Sequence, residues 1–196
     1  PSLALEIMRT ITQNKRVIVN YDTNGVSNIQ VGNYTIPTDR YGRLVVNYRG
    51  GAKMFKYISA VEILNGSFDP KDVEGKIAIV GTSAAGLLDL RSTPFESVYP
   101  GVEVHANVID NILTQNFIAK PSWIDGVNIL HIIILSFLII MFIAYLPLWI
   151  AIFLIIVVMS CDIYTIYYIL FYKGLILNIL FPILTIVIAS IVAVTI

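Results

Sequence analysis

The stretch "VNILHIIILSFLIIMFIAYLPLWIAIFLIIVVMSCDIYTIYYILFYKG" occupies residues 127–174, and its only charged residues are Asp162 and Lys173. The chain then continues without charge to Ile196. Pro147 and Gly174 divide this region into apolar runs at 127–146, 148–171 and 175–196, of 20, 24 and 22 residues. A helix rises about 1.5 Å per residue and a bilayer's hydrocarbon core is roughly 30 Å thick, so each run is long enough to cross it. Lipid offers no partners to backbone N–H and C=O groups, which demands helices. A buried soluble core is the competing explanation, and three such runs in succession argue against it. The turns "AYLPLW" and "FYKGLI" are tight, so neighbouring helices are expected to be antiparallel. Trp123, Trp149, Tyr167, Tyr168 and Tyr172 lie near run ends, where amphipathic rings favour the headgroup zone. Three spans would place the two ends of this bundle on opposite sides of the membrane.

Working back from residue 127, the composition changes abruptly. The whole chain is 57% apolar with a mean hydropathy of +0.78, yet residues 1–126 carry 12 Lys+Arg and 12 Asp+Glu. That is water-facing chain, about the size of one small domain. Its balanced charge gives no basic footprint and excludes nucleic acid as an expected partner. Cys161 is the only cysteine, so no intrachain disulfide is possible. The opening "PSLALEIMRT" has no signal-peptide pattern. Beginning at Pro1 without methionine, the chain is expected to be cut from something longer.

Within the water-facing part, "PSLALEIMRTITQN" places Leu3, Ile7, Met8 and Ile11 at helical spacing. "RVIVNY" (16–21) reads as a strand and "DTNG" (22–25) as a turn. "SNIQVGNYTIP" (27–37) reads as short strands around Gly32, and "GRLVVNYRG" (42–50) as another. "YISAVEILNG" (57–66) is a predicted helix stopped at Asn65-Gly66. "GKIAIVGTSA" (75–84) is a predicted buried strand, and "GVEVHANVIDNILTQN" (101–116) a helix. Alternating strands and helices predict an α/β domain, a mixed sheet with flanking helices, over residues 1–123. Residues 124–196 are predicted to form an all-α, three-helix membrane segment.

Several chemical readings compete over these residues. Gly81 and Gly86 enclose four residues, as in a phosphate loop, but Gly86-Leu87-Leu88 lacks the required Lys-Ser/Thr. Backbone anion binding remains one reading; a strand-end turn in which small residues permit close packing is the other. Ser83 with His105 suggests a hydrolase, but Ala85 breaks the Gly-x-Ser-x-Gly elbow. Asp110 lies about 140° around the helix from His105 and cannot orient it, which leaves Asp89. His105 shares a stripe with Val102, Val108, Ile109 and Ile112, whereas Glu103, Asn107, Asp110, Asn111 and Thr114 form the other side. That favours a core histidine over a pH sensor. With His131 the only other histidine, no metal site and no cofactor are expected. Asn33 and Asn65 head N-x-S/T tripeptides, a pattern common by chance.

Asp162 is the most informative polar residue, because an ionisable group inside a span is costly and often functional. Counting residues from the membrane faces puts Ser136 and Pro182 at comparable depths. Asp162 is therefore expected to bond across the bundle, to Ser136 or to a carbonyl freed by Pro182.

Five segments occur in an order that resembles a known family. They are "PSLALE", "VNYRG", "YISAVEILNG", "GKIAIVGTSAAGLLDLRSTPF" and "YPGVEVHANVIDNIL". Together they resemble the CHASE2 extracellular sensory domain of bacterial transmembrane receptors. The resemblance covers Pro1 to about Trp123. It implies three membrane helices after the domain and then a cytoplasmic output domain, a nucleotide cyclase, histidine kinase or serine/threonine kinase, absent from this chain. It also implies that the domain begins part-way in, so that its sheet is incomplete at the N-terminus. No ligand or binding residue comes with the resemblance. Thr82, Ser83, Asp89, Arg91, His105 and Asn107 are the polar candidates for ligand binding.

The resulting expectation is a non-catalytic fragment: the sensory and membrane part of a receptor, multi-pass in the cell membrane. Residues 1–126 would be extracytoplasmic and the C-terminus cytoplasmic. The expected partners are the lipid bilayer, a small-molecule or physical stimulus, a covalently linked effector and a second copy in a homodimer. A membrane-anchored enzyme using Ser83 and His105, and a structural membrane module without a ligand, are the alternatives.

Overall fold

The computed structural model describes every residue except Pro1, Lys15, 83–88, Ser122, Ile179 and Ile196. The chain divides into two compact units. One comprises Pro1–Ile18, Gln30–Ile36 and Val46–Phe117; the other comprises Val19–Ile29, Pro37–Val45 and Ile118–Ile196.

The first helix, α1 (Leu3–Ile11), starts where Ser2 accepts a hydrogen bond from Leu5 N, and it buries Ala4 and Met8. Strands β1 (Val17–Asp22), β2 (Gly25–Val31) and β3 (Tyr34–Pro37) follow in the order β1-β2-β3. Two-residue connections join them, which only antiparallel neighbours permit. In the first turn Asp22 Oδ1 accepts from Asn24 N at 2.7 Å; in the second, Gly32 takes a left-handed φ of 58°. Helix α2 (Ala60–Leu64) carries a reciprocal Ser59/Glu62 capping box and ends at Asn65-Gly66. A 3-10 turn (Pro70–Asp72) and an antiparallel pair, β4 (Leu90–Arg91) with β5 (Tyr99–Pro100), lead into α3 (Gly101–Thr114). The content is mixed α/β, with small sheets.

Two predicted strands are absent, for different reasons. Residues 42–50 contribute only an isolated bridge from Val45 to Ile118. Beyond it, the backbone from Asn47 onward is held by side chains of α3 instead of a neighbouring strand. Residues 75–82 form no strand either. Among the described residues nothing pairs with them, and Val80 is 97% exposed. Without a ladder for its N–H and C=O groups, an apolar segment is not a strand.

The α3 attachment is the main polar framework of its unit. Asn111 Oδ1 accepts from Asn47 N, and Asn111 Nδ2 donates to Asn47 O, both at 2.8 Å. One turn earlier, Asn107 Oδ1 accepts from Arg49 N at 3.0 Å. Another turn earlier, the Glu103 carboxylate accepts from Lys53 N and Met54 N at 2.9 Å each. Between Asn111 and Asn107 four helical residues advance about 6 Å and the two extended residues Asn47–Arg49 about 6.7 Å, so those registers match; the turn at 50–53 then takes up the extra residues before Glu103. The chain from Asn47 thus runs antiparallel to α3 and meets one acceptor per turn. Glu103, Asn107 and Asn111 are all buried, so this part of the polar side of α3 faces the interior. Each bond replaces one to water, and together they satisfy a segment that has no strand beside it.

In the second unit α4 (Ile124–Tyr145) and α5 (Leu148–Lys173) have 22 and 26 residues and window hydropathies of 2.7 and 2.3. At about 1.5 Å per residue both exceed the roughly 30 Å hydrocarbon core. Helix α6 (Leu180–Thr195) has 16 residues, about 24 Å. It begins after Leu175, because Leu175 pairs with Ala119 instead of entering the helix. Two helices, not three, are therefore long and apolar enough to cross a membrane among the described residues. Ile124, Asn128, Leu135 and Ile139 form the buried stripe of α4 at intervals of one and two turns.

Removing one acceptor from the α3 stripe should leave buried donors unpaired. Asn111→Ala is expected to destabilise the protein by about 2 kcal/mol, and Asn111→Leu by no less. Thermal and denaturant unfolding followed in detergent would check this, and a shift below about 0.5 kcal/mol would contradict it.

Candidate functional site

The pairing of β4 with β5 sets Asp89 beside the first residue of α3. Gly101 N donates to Asp89 O at 2.8 Å, and a Cβ on Gly101 would collide with the Asp89 carboxylate. Any larger residue at 101 would have to displace that carboxylate. The carboxylate consequently stands at the N-terminus of α3, where the helix dipole favours negative charge. Arg91, two residues on, reaches it at 3.3 Å.

An open cavity of about 360 Å³ lies here, lined by Tyr48, Asp89, Arg91, Ser92, Gly101, Val104 and His105. Its walls combine a guanidinium, a carboxylate, an imidazole and two hydroxyls around apolar surface. Such a wall can orient a small polar ligand through directional hydrogen bonds. The guanidinium pairs with Asp89 by charge and still presents its fork of donors. Arg91 is 65% exposed, so a ligand reaches it from solvent without displacing buried structure.

Of the six candidate residues, three meet in this cavity: Asp89, Arg91 and His105. Thr82 is exposed and does not line it. Ser83 lies outside the described residues. Asn107 is fully buried and committed to the scaffold: besides accepting from Arg49 N, its Nδ2 donates to Tyr99 Oη at 2.9 Å and Glu103 O at 2.8 Å. An amide with its groups engaged inside the protein has nothing left for a ligand. Gly81 supports the packing reading of the glycine-rich turn, since a Cβ there would come within 2.6 Å of Val102 Cβ. Asp110, set aside as a partner for His105, instead takes the Arg49 guanidinium with both carboxylate oxygens.

Sequence reasoning missed Tyr48 and Glu103. Tyr48 alternates with Asn47 and Arg49 along extended backbone and packs edge-on against Tyr99, with ring centroids 5.5 Å apart. The buried Glu103 carboxylate also accepts from Tyr57 Oη at 2.9 Å. The available signal was the spacing Glu103, Asn107, Asn111. Three hydrogen-bonding groups at i, i+4 and i+8 suit a backbone clamp, and asparagine is a poor choice for helix surface alone. Burial raises the Tyr48 phenol; burial and then the Glu103 hydrogen bond raise Tyr57. Tyr99 is also raised, chiefly by burial.

The polar residues in the apolar helices form a separate site. Asp162 Oδ1 lies 2.8 Å from His131 Nε2, joining α5 to α4. The Ser136 hydroxyl donates instead to Ile132 O of its own helix at 2.8 Å. Pro182 falls in the first turn of α6, where N–H groups lack intrahelical acceptors, so it frees no carbonyl. The expected cross-bundle bond therefore exists with a different partner. His131 sits two turns into α4, about 10 Å from its start, and was weighed from the sequence only as a metal ligand.

A family model for the CHASE2 domain matches residues 1–145, from the start of the chain through α4. No curated protein and no solved structure matches the chain.

Two outcomes follow from these geometries. Below about pH 10 the three phenols are neutral in both folded and unfolded chain, and their contribution to stability is complete. Above it the unfolded phenols ionise first, so stability should fall as pH rises; melting temperatures across that range should decline less steeply in Tyr57→Phe. In the apolar helices, His131→Leu leaves the Asp162 carboxyl without its partner and should cost about 3 kcal/mol. Replacing both residues by leucine should recover most of that loss in a double-mutant cycle, and simple additivity would contradict the pairing.

Proposed function

This chain belongs to the CHASE2 domain family, and on that premise we propose that it is the sensory and membrane part of a bacterial signal-transduction receptor. CHASE2 is an extracellular sensory domain family. The observation that carries the reading is the extent of the match: it runs unbroken from residue 1 to residue 145, so the water-facing elements and the first long apolar helix belong to one family unit.

In this reading residues 1–126 lie outside the cytoplasmic membrane and the C-terminus inside. That requires a third crossing. Helix α6 lies within the apolar run at 175–196, and local thinning of the bilayer accommodates a helix of about 24 Å. The chain after α6 leads to a cytoplasmic effector, a nucleotide cyclase or a protein kinase. Signalling proceeds by population shift: a stimulus that binds or favours one of two sensor states more strongly moves the equilibrium by that difference. The helices then shift slightly within a homodimer embedded in lipid. A small polar ligand would enter the cavity of Asp89, Arg91 and His105, with Tyr48 and Ser92 alongside. CHASE2 domains are sensory and non-catalytic, and this reading gives Ser83 and His105 no turnover to perform.

Topology decides it. Fusions of a reporter active only outside the cytoplasm, and of one fluorescent only inside, are placed after residues 126, 146, 174 and 196. The expected order is outside, inside, outside, inside. A fusion after residue 196 that reports the same side as residue 126 overturns the three-span relay.

A further inference from the structure

The segment that carries the chain from α3 into the first apolar helix is paired on both sides. Ile118 forms an antiparallel bridge with Val45, and Ala119 a parallel bridge with Leu175. Ala119 N donates to Gly174 O at 2.7 Å, and Ile176 N donates to Ala119 O at 3.0 Å. The connection between α5 and α6 is thus extended backbone lying on the entry segment. Its two ends are also fixed. Gly174, in the left-handed conformation at φ 62°, closes α5 through bonds to Leu170 O and from Leu175 N to Ile169 O. Asn178 N donates to Asn128 Oδ1 on α4 at 3.4 Å, and Asn178 Oδ1 accepts from Leu180 N at the start of α6.

A loop joining two antiparallel apolar helices needs none of this. Gly174 alone would turn the chain, and the backbone groups of residues 175–178 would otherwise bond to water. The helix packing has the same bias: α4 lies along α6 more extensively than along α5, and α5 touches α6 only slightly. We infer that residues 174–178 are a strap that couples the entry segment directly to α6, so that a displacement of residues 118–120 reaches α6 through backbone hydrogen bonds in addition to the rigid body of α4.

This rests on the reading that α6 leads to the effector, and it adds the route. In a relay through consecutive helices, the signal would pass along α4, around Pro147, down α5 and back up α6. With the strap, the first and last helices share one anchor on the sensor side. Helix α5 meets the same strap at its C-cap, Gly174, and is held to α4 in addition through Asp162 and His131. The strap works through main-chain groups, so its strength is insensitive to the side chain at 175 and sensitive to any residue lacking an N–H at 176.

The test uses the full chain in phosphatidylcholine–phosphatidylglycerol vesicles, in a Cys161→Ser background that removes the only native thiol. Spin labels on lipid-exposed Phe137 of α4, Phe153 of α5 and Ile188 of α6 report the α4–α6 and α4–α5 distances. Ile176→Pro deletes one strap bond without altering either helix. It should broaden the α4–α6 distance distribution, leave α4–α5 unchanged, and speed amide exchange at Ala119 by about ten-fold or more. Leu175→Ala keeps both backbone bonds and should behave like the parent. Unchanged α4–α6 distances and unchanged Ala119 exchange in Ile176→Pro would overturn the strap. So would equal broadening in Leu175→Ala, which would make the effect one of side-chain packing. None of these readouts depends on which side Ile196 faces, so the strap and the topology stand or fall separately.

Discussion

The water-facing unit depends on a helix that satisfies another segment's backbone with side chains. Peptide groups buried without partners cost more than a typical hydrogen bond returns, so a segment without a neighbouring strand must find acceptors elsewhere. Here α3 presents them from Glu103, Asn107 and Asn111, which meet the extended chain at Asn47 and Arg49 and the turn that follows it. The other features of this unit follow from that fit. Tyr48 is turned towards Tyr99 because its neighbours on either side are tied to the helix. Tyr99 gains the Asn107 amide, and Arg49 is brought over Asp110. The cavity beside Asp89 takes one wall from this held segment and another from α3 itself.

The apolar helices face the opposite problem. They have no shortage of internal backbone bonds, but two ionisable side chains sit where water is scarce. Pairing His131 with Asp162 at 2.8 Å answers this, and no other Asp, Glu, Lys or Arg lies in α6 or deep in α4 and α5. The hydroxyls of Ser136, Ser160, Thr165 and Thr185 each bond a carbonyl one turn earlier in their own helix and leave the cross-helix polar contact to that pair. A contact of this kind fixes depth and rotation of α5 against α4, which dispersion between leucine and isoleucine side chains does only weakly.

Local signals in the sequence were informative where a single element decides its own structure. The capped helices at Leu3 and Ala60, the hairpin turns at Asp22 and Gly32, and the two long apolar helices are all of this kind. Where structure depends on a distant partner, the same signals misled. Branched residues in "GKIAIVG" predict a strand, but a strand exists only beside another strand. The polar side of α3 is visible in the periodicity, but that peptide groups of another segment are its target is not. The cavity residues Asp89, Arg91 and His105 were named from chemistry alone, yet their meeting depends on two ladder pairs between β4 and β5 that no periodicity announces. His131 was weighed only as a metal ligand, because its place two turns inside α4, level with Asp162, shows only when the two helices are packed.

The α3 clamp has a consequence for how such a domain can diversify. It grips Asn47, Arg49, Lys53 and Met54 by their main chain, so at Lys53 and Met54 the identity of the side chain matters little to these bonds, whereas Tyr48 and Arg49 add side-chain contacts of their own. The helix positions are the opposite: each must supply a particular acceptor at a particular height. Substitution tolerance is therefore divided unevenly between two segments in contact, with a fixed holder and a held strip whose outward residues can be rewritten. That division lets the side chains of the held strip change while the architecture beneath it stays constant.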